Sequence, residues 1–167
     1  QPSGFGWWSN AEALITYRRR ISWNLHVLRS SSSTTPELNT EYNATAHDRD
    51  LVRQLLGREP NGQFSVVVRD SDGMPSVIKN APFLDDGTPM PTRYWLCSPL
   101  ILISVSRLEA AGGVNQAEAE VDSEELEHAH RRYQAERDAD IPGDHVGPRP
   151  SGGVAGTRTG VKCLHAH

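Results

Sequence analysis

The feature that most constrains this chain lies near its end. Across residues 141–160, nine positions are glycine or proline: Pro142, Gly143, Gly147, Pro148, Pro150, Gly152, Gly153, Gly156 and Gly160. Proline fixes φ and removes a backbone donor, so it ends helices and leaves sheet interiors. Glycine loses the most backbone entropy on ordering, so it weakens either element. Neither a helix nor a strand can run through this stretch. It is also too long for a plain connection within a compact domain, and such loops are functional or disordered. Regular structure must therefore be built upstream, with one short segment, 161–167, beyond.

The length, 167 residues, suits one compact domain. Hydrophobic residues make up 37%, a low share that leaves part of the chain outside a core. No stretch approaches the ~18 apolar residues of a membrane span, so none is expected. Two cysteines do not make a disulfide scaffold. The formal charge of −4 argues against general nucleic-acid binding, which needs a basic footprint.

The chain begins at Gln1, and its first 45 residues differ from the rest. They hold Trp7, Trp8 and Trp23, the run Arg18, Arg19, Arg20 and the serines at 30–33. This composition reads as a non-domain extension, disordered, with a transit peptide as the alternative. The expected domain runs over 46–167.

Within it, Leu51, Val52, Leu55 and Leu56 form one apolar stripe and predict a helix over 47–56, closed by Gly57. The β-branched run 63–69 predicts a strand, and 70–73 a turn where Asp70 caps the backbone and Gly73 supplies positive φ. A second short strand over 76–80 would complete a hairpin. A third, 93–97, alternates, with Tyr94 and Leu96 on one face and Arg93, Trp95 and Cys97 on the other. A helix over 99–111 is expected to end at Gly112 and Gly113. Another runs from Asp122 or Ser123 to about Asp138, acidic at its start and basic towards its end, matching the helix dipole. The segment 161–167 looks like the start of a last helix, cut short. The fold class expected is α+β: a small mixed or antiparallel sheet packed with three to four helices.

The densest chemistry follows the loop. Lys162, Cys163, His165 and His167 sit within six residues, with His145, Arg149 and Arg158 upstream. One reading is a metal site. Cys and His are zinc ligands, and Cys163 and His167 share a helix face at i,i+4, with His145 or Cys97 as further ligands. A second is a nucleophilic or acid–base site, with Cys163 activated by Lys162 and a neighbouring histidine. The third is a buried cysteine with locally satisfied histidines. The glycine-rich run 152–160 could cradle an anion on its N–H groups, although it lacks the phosphate-loop signature. Asp85 and Asp86 fit turn chemistry, or a paired-carboxylate site.

Several segments in order resemble an uncharacterised bacterial family, domain of unknown function 501 (DUF501), typical of actinobacteria. They are residues 62–70, 85–96, 106–114, 135–138 and 144–154, and above all Gly160-Val161-Lys162-Cys163-Leu164-His165-Ala166-His167. The resemblance covers about 47–167. It brings no activity to carry over. It implies a small cytoplasmic protein, and its gene neighbourhood hints at cell-division or envelope machinery. Asp86, Arg93, His145, Arg149, Arg158, Lys162, Cys163 and His165 match the family's motif, while the resemblance gives no reliance on Cys97, which weakens a two-cysteine metal site.

Together these readings give a set of expectations. Asp86, Arg93, Arg149, Arg158 and Lys162 would bind a phosphate-like or other anionic ligand. Cys163, His165 and His145 would be the chemical groups, and hydrolysis or transfer on a phosphorylated substrate the reaction class. The rivals are a non-catalytic protein partner and a small zinc module in which His167 joins Cys163.

Overall fold

The computed structural model describes residues 42–167. Most of the expected extension therefore lies outside the described residues. Its last few residues do not: Tyr42 and Ala44 pack into the domain, and Thr45 opens its first helix.

That helix, α1, spans Ala46–Leu56. Thr45 Oγ1 accepts from the Asp48 N–H at 3.0 Å, and the Asp48 carboxylate accepts from the Thr45 N–H. This reciprocal box satisfies two of the donors a helix start leaves free. Gly57, at φ +67°, ends it in the left-handed region. Strand β1 (Gly62–Arg69) then pairs antiparallel with β2 (Pro75–Leu84) through a turn in which Asp70 Oδ1 accepts from Asp72 and Met74. β3 (Tyr94–Leu96) adds to the other edge of β2, giving the order β1-β2-β3. Ile78 faces Val66 on one side and Trp95 on the other.

Helices α2 (Pro99–Ala110), α3 (Gly113–Glu120) and α4 (Ser123–Ala139) follow, then a 3-10 turn at Val154–Gly156. The three-stranded antiparallel sheet with four helices is an α+β fold. β2 runs four residues past its expected end, because as the central strand it is paired on both sides. α3 is absent from the sequence reading. Gly112 does turn the chain at φ +88°, but Gly113 then begins a helix of good formers, Gln116 to Glu120. The segment 161–167, expected to open a helix, holds a single turn over 164–166. Its local donors and acceptors go to side chains: the Leu164 N–H to Glu109, and the Cys163 carbonyl to His167.

Two apolar centres form. Val52 of α1 packs with Phe64, Ile78 and Cys97 on the sheet, and Tyr133 of α4 packs with Val154 and Ala155 of the loop. Cys97 therefore belongs to the core, and burial pushes its thiol up to about 11. α2 contributes no buried residue. Leu100 is 79% exposed, and Ile101, Ile103 and Leu108 are about half exposed. Among the described residues, no helix is long and apolar enough to cross a membrane.

α4 holds the glycine-rich loop. Arg137, only 1% exposed, donates to the carbonyls of Pro150, Ser151 and Gly152, and pairs with Asp138. His130 Nδ1 accepts from the Val154 N–H at 3.1 Å, and Nε2 lies 3.1 Å from the Gly160 carbonyl. That pattern sets the tautomer, with the ring proton on Nε2. Gly153 is required by proximity, since a Cβ there would sit 2.5 Å from the His130 Cβ. The loop is thus packed against a helix.

A second polar tie joins α4 to the sheet. Asp140 accepts from Arg93 and from the Tyr42 hydroxyl (2.5 Å), with Lys79 Nζ at 3.5 Å. The Arg93 N–H also donates to the Tyr133 hydroxyl oxygen. Burial works against charge on Asp140, but the bonds from Tyr42 and Arg93 and the charges of Arg93 and Lys79 outweigh it and hold the carboxyl below its ordinary range. Asp48 is lowered too, first by its bond from Arg69 and further by Thr45, against the cost of burial.

Two tests follow from these ties. Arg137→Ala leaves three carbonyls and the loop without their donor, and is expected to cost about 3–5 kcal/mol in urea unfolding. Depressed folded-state pKa values give stability that is complete above the ordinary carboxylate value of ~3.9 and lost as pH falls through the folded value. The urea midpoint should therefore drop on acidification below about pH 4. Asp140→Asn should lower the midpoint at pH 7 and flatten the acid slope; an unchanged slope would contradict the assignment.

Candidate metal centre

Ser106 and Glu109 lie three residues apart on α2, on one helix face, in its last turns. The chain returns beside them at 161–167. Two glycines permit the approach. A Cβ on Gly113 would lie 3.1 Å from a Leu164 methyl, and one on Gly160 would lie 2.5 Å from the Glu118 carboxylate. Gly160 also takes φ +73°, which turns the segment.

Once there, the segment is fixed by polar contacts. Glu109 Oε1 accepts the Leu164 N–H at 2.6 Å and lies 2.9 Å from His165 Nδ1. His165 Nε2 lies 3.4 Å from Ser106 Oγ. Lys162 Nζ donates to the Ala155 carbonyl at 2.9 Å. His167 Nδ1 lies 3.1 Å from the Cys163 carbonyl, and its ring meets His130 edge-on at 5.6 Å. Burial lowers the His167 pKa, against the bond to the Cys163 carbonyl.

The result is a three-residue convergence. One ligand atom each from Glu109, Cys163 and His165 lies within 4.8 Å of the other two. All three residues are partly exposed; the side chains of His165 and Glu109 are 27% and 22% accessible. A thiol, an imidazole and a carboxylate at this spacing can share a divalent metal, or can pass a proton along Ser106, His165 and Glu109.

The structure brings together Cys163 and His165 of the sequence-predicted groups, but not the others. His145 stacks on Phe83 of β2, ring centroids 4.2 Å apart, with Nε2 3.2 Å from the Pro148 carbonyl. Arg93 is buried against Asp140; burial opposes its charge, yet its bonds to Tyr94 and Asp140 raise its pKa. Arg149 and Arg158 are exposed. Asp86 is an exposed turn residue that accepts the Thr88 N–H, the bond that lowers its pKa. Four of the loop's N–H groups are also in use: Gly153 to Thr157, Val154 to His130, Gly156 to Gly153 and Thr157 to Val154. A polar cleft over Arg49, Glu59, Asn61 and Asp85 includes Asp86. An apolar groove between α3, α4 and residues 161–167 includes His167. Arg93, Arg149, Arg158 and Lys162 line neither.

Sequence reasoning missed Glu109 and Ser106. They stand more than fifty residues before Cys163, and a Glu in a helix carries no signal of its own. Both lie within the motif over 106–114 that carries the family resemblance.

No curated protein and no solved structure matches the chain. A family model described as "Protein of unknown function (DUF501)" matches residues 66–167, which include every residue of the convergence, and the chain belongs to that family.

Proposed function

We propose that this domain binds a divalent metal ion through Glu109, Cys163 and His165, and that the donor set selects zinc. The observation that carries this is the convergence of the three ligand atoms within 4.8 Å. Zinc takes sulfur, nitrogen and oxygen ligands at roughly 2.0–2.3 Å, so tetrahedral donors stand about 3.5 Å apart. His165 Nδ1 and Glu109 Oε1 stand 2.9 Å apart, and small side-chain rotations would bring all three atoms to the tetrahedral spacing. The set also suits zinc in kind: a soft thiolate, an imidazole and one carboxylate, where magnesium or calcium would need oxygen ligands.

The surroundings support a ligand role for His165. A metal-bound histidine ordinarily has a partner on its other nitrogen. Ser106 stands at Nε2, so a metal on the Nδ1 side leaves the ring oriented. The Leu164 N–H holds the Glu109 carboxylate in place. An anion pocket has less support, because its proposed cations are neutralised, dispersed or donating to the protein itself.

Zinc titrated into chelator-stripped protein should bind one per chain and raise the melting temperature, since it binds only the folded site. Glu109→Gln, Cys163→Ser and His165→Ala should each weaken binding at least about tenfold. His145→Ala and Arg149→Ala should leave it unchanged. No stoichiometric binding, or binding indifferent to all three ligand substitutions, would overturn the proposal.

A further inference from the structure

Resting on that metal reading, we infer that the centre is open: three protein ligands among the described residues, with a remaining coordination position for water or a singly charged monodentate ligand. Closed structural zinc sites use four protein ligands, whereas sites that exchange ligands keep one position free. Each residue able to supply a fourth ligand from the sequence's own candidates is committed elsewhere. Cys97 is 0% exposed in the core with Val52, Phe64 and Ile78. His145 is stacked on Phe83. His167, the histidine that i,i+4 spacing would pair with Cys163, bonds back to the Cys163 carbonyl, meets His130 and lines the apolar groove with Leu126 and Val161. The single turn over 164–166 separates it from the cluster, where a continuous helix would have placed it on the Cys163 face.

All three ligand residues are partly exposed, so a small ligand can reach the centre. Ser106 stands at the far nitrogen of His165, away from the Nδ1 side where the metal would sit. The charge balance selects the ligand class. A divalent ion with one thiolate and one carboxylate sums to zero, and His165 adds nothing when it ligates as the neutral ring. A neutral centre has no net attraction for a polyanion. It accepts water, hydroxide, or a soft monovalent anion such as thiocyanate or a thiolate. The ligand that enters is thus a small one, and a phosphate group is disfavoured.

Cobalt(II) in place of zinc reports this through its visible d–d bands. Full-length protein loaded with cobalt is titrated with thiocyanate, and in parallel with inorganic phosphate. The bands should shift with thiocyanate, saturating in the millimolar range, and respond at least tenfold more weakly to phosphate. His167→Ala should give the same bands and the same thiocyanate response as the parent chain. Bands that ignore thiocyanate, or that change in His167→Ala before any anion is added, show a closed centre and overturn the inference while leaving metal binding intact. An equal response to phosphate overturns the assigned ligand class. Failure to take up cobalt or zinc at all overturns the metal reading itself.

Discussion

One buried guanidinium organises the second half of this domain. Arg137 sits on the inner face of α4 with almost no solvent contact and donates to three successive carbonyls of the loop. Desolvating a charge costs several kcal/mol, and only a full set of partners offsets it. Carbonyls of a proline- and glycine-rich chain suit this role, because no helix or strand claims them. The loop supplies acceptors, the arginine supplies donors, and each would be costly to bury alone. His130, two turns earlier on the same helix, completes the clamp by reading the next N–H and a carbonyl further on.

The placement of the candidate centre depends on that clamp. Residues 161–167 leave the loop at Gly160, whose carbonyl is held by His130, and reach α2 with Lys162 tied back to Ala155. Cys163 and His165 then meet Glu109 across a separation of more than fifty residues. The Asp140 tie acts at the C-terminal end of α4, three residues past Arg137, and fastens the helix to Lys79 of β2 and to Arg93 just before β3. α4 therefore links the sheet to the loop, and the loop links α4 to the site.

What the sequence made legible follows from range. Local devices could be read directly: the Gly57 stop, the Asp70 turn, the strand pattern of β3 and the dipole-matched charges of α4. Features set by distant contacts could not. Gly112 and Gly113 look like an end because glycine terminates helices, yet here they make a corner between two. The β2 strand is longer than its composition suggests because neighbours pair it on both sides. Residues 152–160 resemble an anion cradle by composition, but four of their N–H groups, at 153, 154, 156 and 157, are spent on the loop itself and on His130. The cluster at 160–167 was visible as chemistry, and Cys163 and His165 do come together. Their third partner was not visible, because a glutamate on a helix looks the same whether it faces water or a histidine.

The exposed apolar side chains of α2 bear on how the site could behave. A helix with no buried residue draws little cohesion from the core, so its attachment rests on few contacts. Several of them are the ones Glu109 makes with Leu164 and His165. The carboxylate that would hold a metal is thus also a latch on the arm that carries it. Loading the centre would add a further tie between α2 and this arm, beyond the contacts that Glu109 already makes.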